Sequence, residues 1–144
     1  MENPLHSAPV ELLDSCLVVE DDSIIRLDLE ETLKAFGLKQ VHGASSVEAA
    51  ARIIASSEIR FALLDYNVGP ANTVKVAETL AARGIPAVFL TAYGAAVDLP
   101  PGLSHLQVLS KPFSSDSLAK ALLAELAKVR RPSDKAISAS ETNG

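Results

Sequence analysis

The sequence has one cysteine, no long apolar run and no surplus of basic residues. Cys16 alone, in 144 residues, can form neither an internal disulfide nor a cysteine cage for zinc. No apolar run approaches the roughly 20 residues that cross a bilayer, and the amino terminus lacks the pattern of a signal peptide. We therefore expect a cytoplasmic protein without a membrane segment. With 13 basic against 18 acidic residues, we expect no binding to nucleic acid.

Short apolar runs alternate with segments in which apolar residues recur every three to four positions. This alternation predicts an α/β fold, a doubly wound parallel sheet with helices on both faces. Near-continuous hydrophobicity is typical of strands that are covered on both sides. We predict five strands, at residues 16–19, 39–43, 61–64, 87–90 and 106–109.

Helical patterns separate these runs, with one interruption. We predict helices at residues 23–36, 45–55, 71–82 and after Ser114, which is a suitable N-cap. Between residues 93 and 104, glycine and proline are too frequent for a full helix, so the fourth helix is expected to be short or irregular. The domain is predicted to span residues 13–130. Residues 1–12 are expected to be a flexible segment and residues 131–144 a disordered tail.

Polar side chains follow four of the predicted strands. In an open parallel sheet, reacting groups collect at the carboxyl ends of the strands, so these side chains are expected to meet at one rim. The four segments are Glu20-Asp21-Asp22, Asp65-Tyr66-Asn67, Thr91-Ala92-Tyr93 and Ser110-Lys111-Pro112.

Converging carboxylates repel one another unless a cation lies between them. A set of oxygen ligands without sulfur or imidazole favours Mg²⁺ or Mn²⁺. Such an ion keeps coordination positions that phosphoryl oxygens can occupy. An aspartate beside such an ion can attack phosphorus, while Lys111 and Thr91 absorb charge on the transferred group. The rim therefore predicts phosphorylation of one aspartate.

The motifs at these strand ends resemble the receiver domain of two-component response regulators. They are Val18-Val19-Glu20-Asp21-Asp22, Leu63-Leu64-Asp65, Leu90-Thr91-Ala92 and Lys111-Pro112-Phe113, in that order. The resemblance covers residues 13–130 and implies a flavodoxin-like receiver fold. The stretch at residues 84–94, Gly-Ile-Pro-Ala-Val-Phe-Leu-Thr-Ala-Tyr-Gly, is similar to the FATGUY stretch of a stand-alone subgroup.

The resemblance implies roles for the acidic residues and for the partners. Asp65 would accept a phosphoryl group from a phosphohistidine of a sensor histidine kinase, of the HWE or a related class, or of a histidine phosphotransfer protein. Asp21 and Asp65 would bind Mg²⁺ directly, Glu20 would act through water, and Asn67 would contribute its backbone carbonyl. Tyr66 is expected to gate the pocket.

The resemblance also implies how the signal leaves the site. Thr91 would hydrogen-bond the phosphoryl group and move towards it, and Lys111, before a cis Pro112, would pair with it. The aromatic residue usual three positions before the lysine is replaced by Val108, so Tyr93 is the expected switch residue. The phosphorylated domain would signal by binding another protein, or it would serve as a sink that removes phosphoryl groups from a kinase.

Two other functions remain open on the sequence. A phosphohydrolase of the haloacid dehalogenase type also uses a strand-end aspartate with Mg²⁺, but it requires a second aspartate where Asn67 stands. A phosphorylation-independent interaction module could retain the pocket as scaffold. We expect a signalling domain whose only catalysis is its own phosphorylation and dephosphorylation, not an enzyme.

Overall fold

The fold is a parallel sheet with helices on both faces. The computed structural model describes Leu5 and residues 8–92 and 97–129. The strands of the sheet are β1 Ser15–Val19, β2 Gln40–Ala44, β3 Phe61–Asp65, β6 Ala87–Thr91 and β7 Val108–Ser110, and a separate hairpin contains β4 Asn67–Val68 and β5 Ala71–Asn72. The sheet has the order β2-β1-β3-β6-β7, with every neighbouring pair parallel, which confirms the predicted five-stranded architecture.

The three central strands carry apolar side chains towards both faces. Every residue of β1, β3 and β6 is buried. Because successive side chains of a strand point to opposite faces, Cys16 and Val18 enter one apolar cluster and Leu17 and Val19 the other. The sheet therefore separates two cores, and only the ends of its central strands are open to polar chemistry.

In the described part of the chain, four α-helices cover the two faces: α1 Ser23–Ala35, α2 Val47–Ser56, α3 Val74–Ala82 and α4 Ser115–Leu126. Buried residues of α1 and α4 line one cluster, and those of α2 and α3 line the other. Asp22, Ser46 and Ser114 cap α1, α2 and α4 by accepting backbone N–H groups, so Ser114 is the cap predicted from sequence.

The connections differ from the sequence prediction in one place and agree with it in another. The third helix begins at Val74 and not at residue 71, because residues 71–72 belong to the β4–β5 hairpin. Between β6 and β7, the described residues contain only a 3₁₀ turn, Pro101–Leu103. This agrees with the short or irregular helix expected in this connection; residues 93–96 lie outside the described part.

The described residues near the amino terminus pack more closely than the sequence suggested. Residues 1–12 were expected to be flexible, but Leu5, Ala8 and Leu12 are buried in the cluster under α1 and α4, and Val10–Leu13 form a 3₁₀ turn. Apolar burial of this kind fixes a segment to the core. The predicted tail at residues 131–144 lies outside the described residues. None of the helices described is long and apolar enough to cross a membrane.

Candidate functional site

The carboxyl ends of β1, β3, β6 and β7 meet at one rim, as the strand order requires. Glu20 follows β1, Asp65 ends β3, Thr91 ends β6 and Lys111 follows β7. Asp65 lies in register with Leu90, and Thr91 with Ser110. The structure therefore brings these predicted site residues together at one edge of the sheet.

Three carboxylates form a cluster at this rim. One oxygen from each of Glu20, Asp21 and Asp65 lies within 4.8 Å of the other two. Glu20 and Asp65 are buried, whereas Asp21 is exposed. An all-oxygen set at this separation, with one side open to solvent, suits a hard divalent cation such as Mg²⁺. The residues present thus fit the ion that the sequence implied.

Lys111 neutralises part of this charge. Its Nζ donates to Glu20 Oε1 at 2.8 Å and to Asp65 Oδ2 at 3.4 Å. Its peptide bond to Pro112 is cis, as expected from the family resemblance. Because Lys111 contacts both buried carboxylates, it is the cation that allows them to lie side by side.

The pKa values follow from burial and from these contacts. Burial raises the pKa of Glu20 to about 7, and a hydrogen bond shared with Asp65 acts in the same direction, against the opposing effect of Lys111. Burial by itself would lower the pKa of Lys111, but its hydrogen bond to Glu20 and the charge of Asp65 outweigh burial and raise it. The hydrogen bond from Gly69 lowers the pKa of Asp21. Asp21 is therefore held as a carboxylate.

Thr91 has a free hydrogen-bonding group. Its Oγ1 is buried and has no partner among the described residues. A buried hydroxyl without a partner costs about 1–3 kcal/mol, so such groups are rare away from functional sites. The hydroxyl is available to an acceptor that enters the rim.

Comparison with known proteins identifies the family. The family model "Response regulator receiver domain" matches residues 16–123. The solution structure of SdrG from Sphingomonas melonis Fr1 is 37% identical, with a TM-score of 0.70 over 80% of this chain and 98% of that one. The chain belongs to the response regulator receiver domain family.

More distant structures share the receiver fold. The receiver domain of PhyR from Erythrobacter litoralis has a TM-score of 0.68 at 19% identity, over 83% of this chain and 94% of that one. A CheY-like receiver domain from Methanospirillum hungatei JF-1 also has 0.68 at 19% identity, over 80% and 94%. A search of curated protein sequences gave no match.

The sequence predicted roles for two aromatic residues, of which the structure describes only Tyr66. Tyr66 does not stand as a gate over the pocket: it is buried and packs edge-on against Phe89 at 6.1 Å. Its hydroxyl donates to the Asp98 carbonyl at 3.2 Å and accepts from the Asp98 N–H at 3.3 Å. Tyr93, the predicted switch residue, lies outside the described residues.

Asn67 lies beside the receiver site. It is exposed and pairs with Asn72 in the small hairpin, two positions after the expected phosphoacceptor Asp65. That its backbone carbonyl binds a metal ion stays a prediction. Val108, which stands where the family resemblance implies an aromatic residue, is an exposed side chain of the edge strand β7.

Three residues support the receiver site without having been predicted. The Gly69 N–H donates to Asp21 Oδ2 at 2.9 Å, Thr73 Oγ1 donates to the Asp65 carbonyl at 2.9 Å, and Arg26 Nη1 donates to the Glu20 carbonyl at 2.9 Å. All three contacts involve a backbone group. The Gly-Pro pair at positions 69–70 marks a turn, but no sequence pattern gives the direction of that turn.

Proposed function

We propose that this receiver domain is phosphorylated on Asp65 and so carries a signal from a histidine kinase. The observation that carries the proposal is the convergence of Asp65 with Glu20, Asp21, Lys111 and the buried Thr91 hydroxyl at one rim. Receiver domains interact with sensor kinases or phosphotransfer proteins. Asp65 has the surroundings that a phosphoryl acceptor needs.

The transfer step follows from the positions of these groups. A carboxylate oxygen of Asp65 attacks the phosphorus of a phosphohistidine; the new P–O bond forms as the P–N bond breaks, and the released imidazole takes up a proton. Lys111, in contact with Asp65, offsets negative charge on the phosphoryl oxygens. Thr91 donates its hydroxyl to one of those oxygens and so satisfies a group that is otherwise without a partner.

The acidic residues have the second role of holding Mg²⁺. Asp21 and Asp65 would bind it directly, Glu20 through water, and Asn67 through its backbone carbonyl. When bound, the ion supplies positive charge next to the transferred group. Asp21, kept ionised by the Gly69 N–H, is suited to direct binding.

We further propose a cytoplasmic phosphorelay, in which the donor is a sensor histidine kinase of the HWE or a related class, or a phosphotransfer protein. The FATGUY-like stretch at residues 84–94, which resembles that of a subgroup expected to work with such kinases, supports this choice of donor. The phosphorylated domain acts on a downstream protein or serves as a phosphate sink, without contact to nucleic acid or membrane.

Phosphorylation with acetyl phosphate, followed by intact mass, tests the proposal. We expect the wild type to gain one phosphoryl group in Mg²⁺ and none in EDTA, because the ion offsets charge at phosphorus. Asp65→Asn and Asp65→Ala should gain none.

Asp28→Asn is the matched control, since Asp28 is an exposed aspartate on α1 away from the cluster. It should be phosphorylated like the wild type. Stoichiometric labelling of Asp65→Ala would contradict the assignment. Turnover of a phosphate monoester by the wild type, lost in Asp65→Asn, would instead favour the phosphohydrolase.

A further inference from the structure

Arg26 links the first helix to the acidic turn that follows β1. It lies in the first turns of α1 and is half-buried, and its Nη1 donates to the Glu20 carbonyl at 2.9 Å. We propose that Arg26 is a positioning residue: its side chain passes over Gly43, fixes the backbone at Glu20 and thereby sets the affinity of the carboxylate cluster for a divalent cation. This inference rests on the proposed function of that cluster.

The other contacts of the turn hold its N–H groups and the start of α1. The Glu20 N–H continues the ladder to the Ala44 carbonyl at 3.0 Å, and the Asp22 N–H donates to Glu20 Oε2 at 3.3 Å. Asp22 caps α1. The Glu20 carbonyl, between the strand and the helix, is held by Arg26, so Arg26 fixes the peptide that joins Glu20 to Asp21.

Gly43 on β2 provides the path for the Arg26 side chain. A Cβ at position 43 would lie 3.1 Å from Arg26 Cδ and 3.3 Å from Arg26 Nε, and it would overlap Glu30 Oε1. The φ angle of Gly43 is not positive, so the backbone does not require glycine there. The missing side chain at position 43 leaves room for the Arg26 and Glu30 side chains, and a larger residue there would press on the stem that carries the Arg26 guanidinium.

The charge and the hydrogen bond of Arg26 act on cation binding in opposite directions. Removal of a positive charge near three carboxylates would strengthen the binding of a cation. Removal of a hydrogen bond that orients the ligands typically weakens metal binding by 10–100-fold. A loss of affinity on removal of Arg26 therefore reports positioning and not charge.

A titration of the unphosphorylated protein with Mn²⁺, in which free Mn²⁺ is measured by electron paramagnetic resonance, tests the inference. We expect Arg26→Met, which keeps an apolar stem over β2, to weaken Mn²⁺ binding about 10-fold. Arg52→Met, at an exposed arginine of α2, should leave the affinity unchanged. Urea unfolding of the same proteins distinguishes positioning of the ligands from a purely structural role, since a purely structural role would lower stability and leave the Mn²⁺ affinity unchanged.

Gly43→Val gives a second, independent variant that retains the arginine. It should weaken Mn²⁺ binding in the wild type but have no effect in an Arg26→Ala background, where no stem remains to be displaced. It should still act in a Glu30→Ala background, which excludes an effect through Glu30.

If Arg26→Met and Gly43→Val both bind Mn²⁺ as tightly as the wild type or more tightly, the inference is wrong and the proposed function stands. If the wild type itself binds no Mn²⁺, the proposed metal site fails, and with it the inference.

Discussion

At the scale of single residues, Glu20 and Asp65 are notable because two buried acids lie side by side. Their side chains are 2% and 11% exposed, so water screens little of their repulsion. Lys111 contacts both, and burial raises the pKa of Glu20 to about 7 despite this contact. A cation bound at this rim would therefore offset the repulsion between these carboxylates.

Thr91 gives a prediction that separates stability from signalling. Thr91→Val removes a buried hydroxyl without a partner among the described residues, so we expect the unphosphorylated protein to gain about 1 kcal/mol in the free energy of unfolding by urea. The same variant should respond less to beryllofluoride, a phosphoryl analogue, because it cannot donate to the bound group.

Thr91→Ser is the matched control for this prediction. It keeps the hydroxyl and loses a methyl group in a buried position, so it should retain the response to beryllofluoride and be less stable than the wild type. A Thr91→Val protein that is clearly less stable than the wild type would mean that the hydroxyl already has a partner in the unphosphorylated state.

Only some of the site residues could be predicted from the sequence. Glu20, Asp21, Asp65, Thr91 and Lys111 were found because each follows an apolar run, and strand ends of a parallel sheet converge. Arg26, Gly69 and Thr73 were not, because they act through backbone groups whose direction depends on turns and helix packing. Such contacts leave no periodic pattern in the sequence.

At the scale of elements, the connection from β6 to β7 is the least regular part of the described structure. The Gly and Pro residues that predicted a broken helix there leave only the 3₁₀ turn Pro101–Leu103 among the described residues. The β4–β5 hairpin escaped prediction because strands of two residues are too short to show an alternation. Tyr66 anchors this connection, since its hydroxyl donates to the carbonyl and accepts from the N–H of Asp98.

Tyr66→Phe tests this anchor. The variant keeps the ring against Phe89 and removes two hydrogen bonds to Asp98, so we expect the Asp98 amide to exchange with solvent about five-fold faster, for a loss of about 1 kcal/mol. Amide exchange by nuclear magnetic resonance measures the effect.

The control for the anchor is Asp98→Asn. Because Tyr66 contacts only the backbone of Asp98 in these two hydrogen bonds, the change of side chain should leave the exchange rate nearly unchanged. Equal protection of the Asp98 amide in Tyr66→Phe and wild type would show that the hydroxyl does not hold the connection.

At the scale of the whole molecule, strand order makes the site. Placing β1, β3 and β6 next to one another brings residues that are far apart in sequence to one rim, and burial of those strands on both faces leaves their ends as the place for charge. Alternating apolar patterns predicted the sheet and its five strands. They could not predict that residues before β1 would join the core, since Leu5, Ala8 and Leu12 lie too close to the terminus to form a recognisable period.

Amide spectra recorded during a titration with beryllofluoride and Mg²⁺ test the central claim most directly. If four chain segments form one phosphoryl site around Asp65, the largest shifts should fall together on residues 20–22, 65–68, 91–92 and 111, and Asp65→Asn should abolish them. Shifts confined to the opposite end of the strands, or no shift at saturating analogue and Mg²⁺, would contradict the claim.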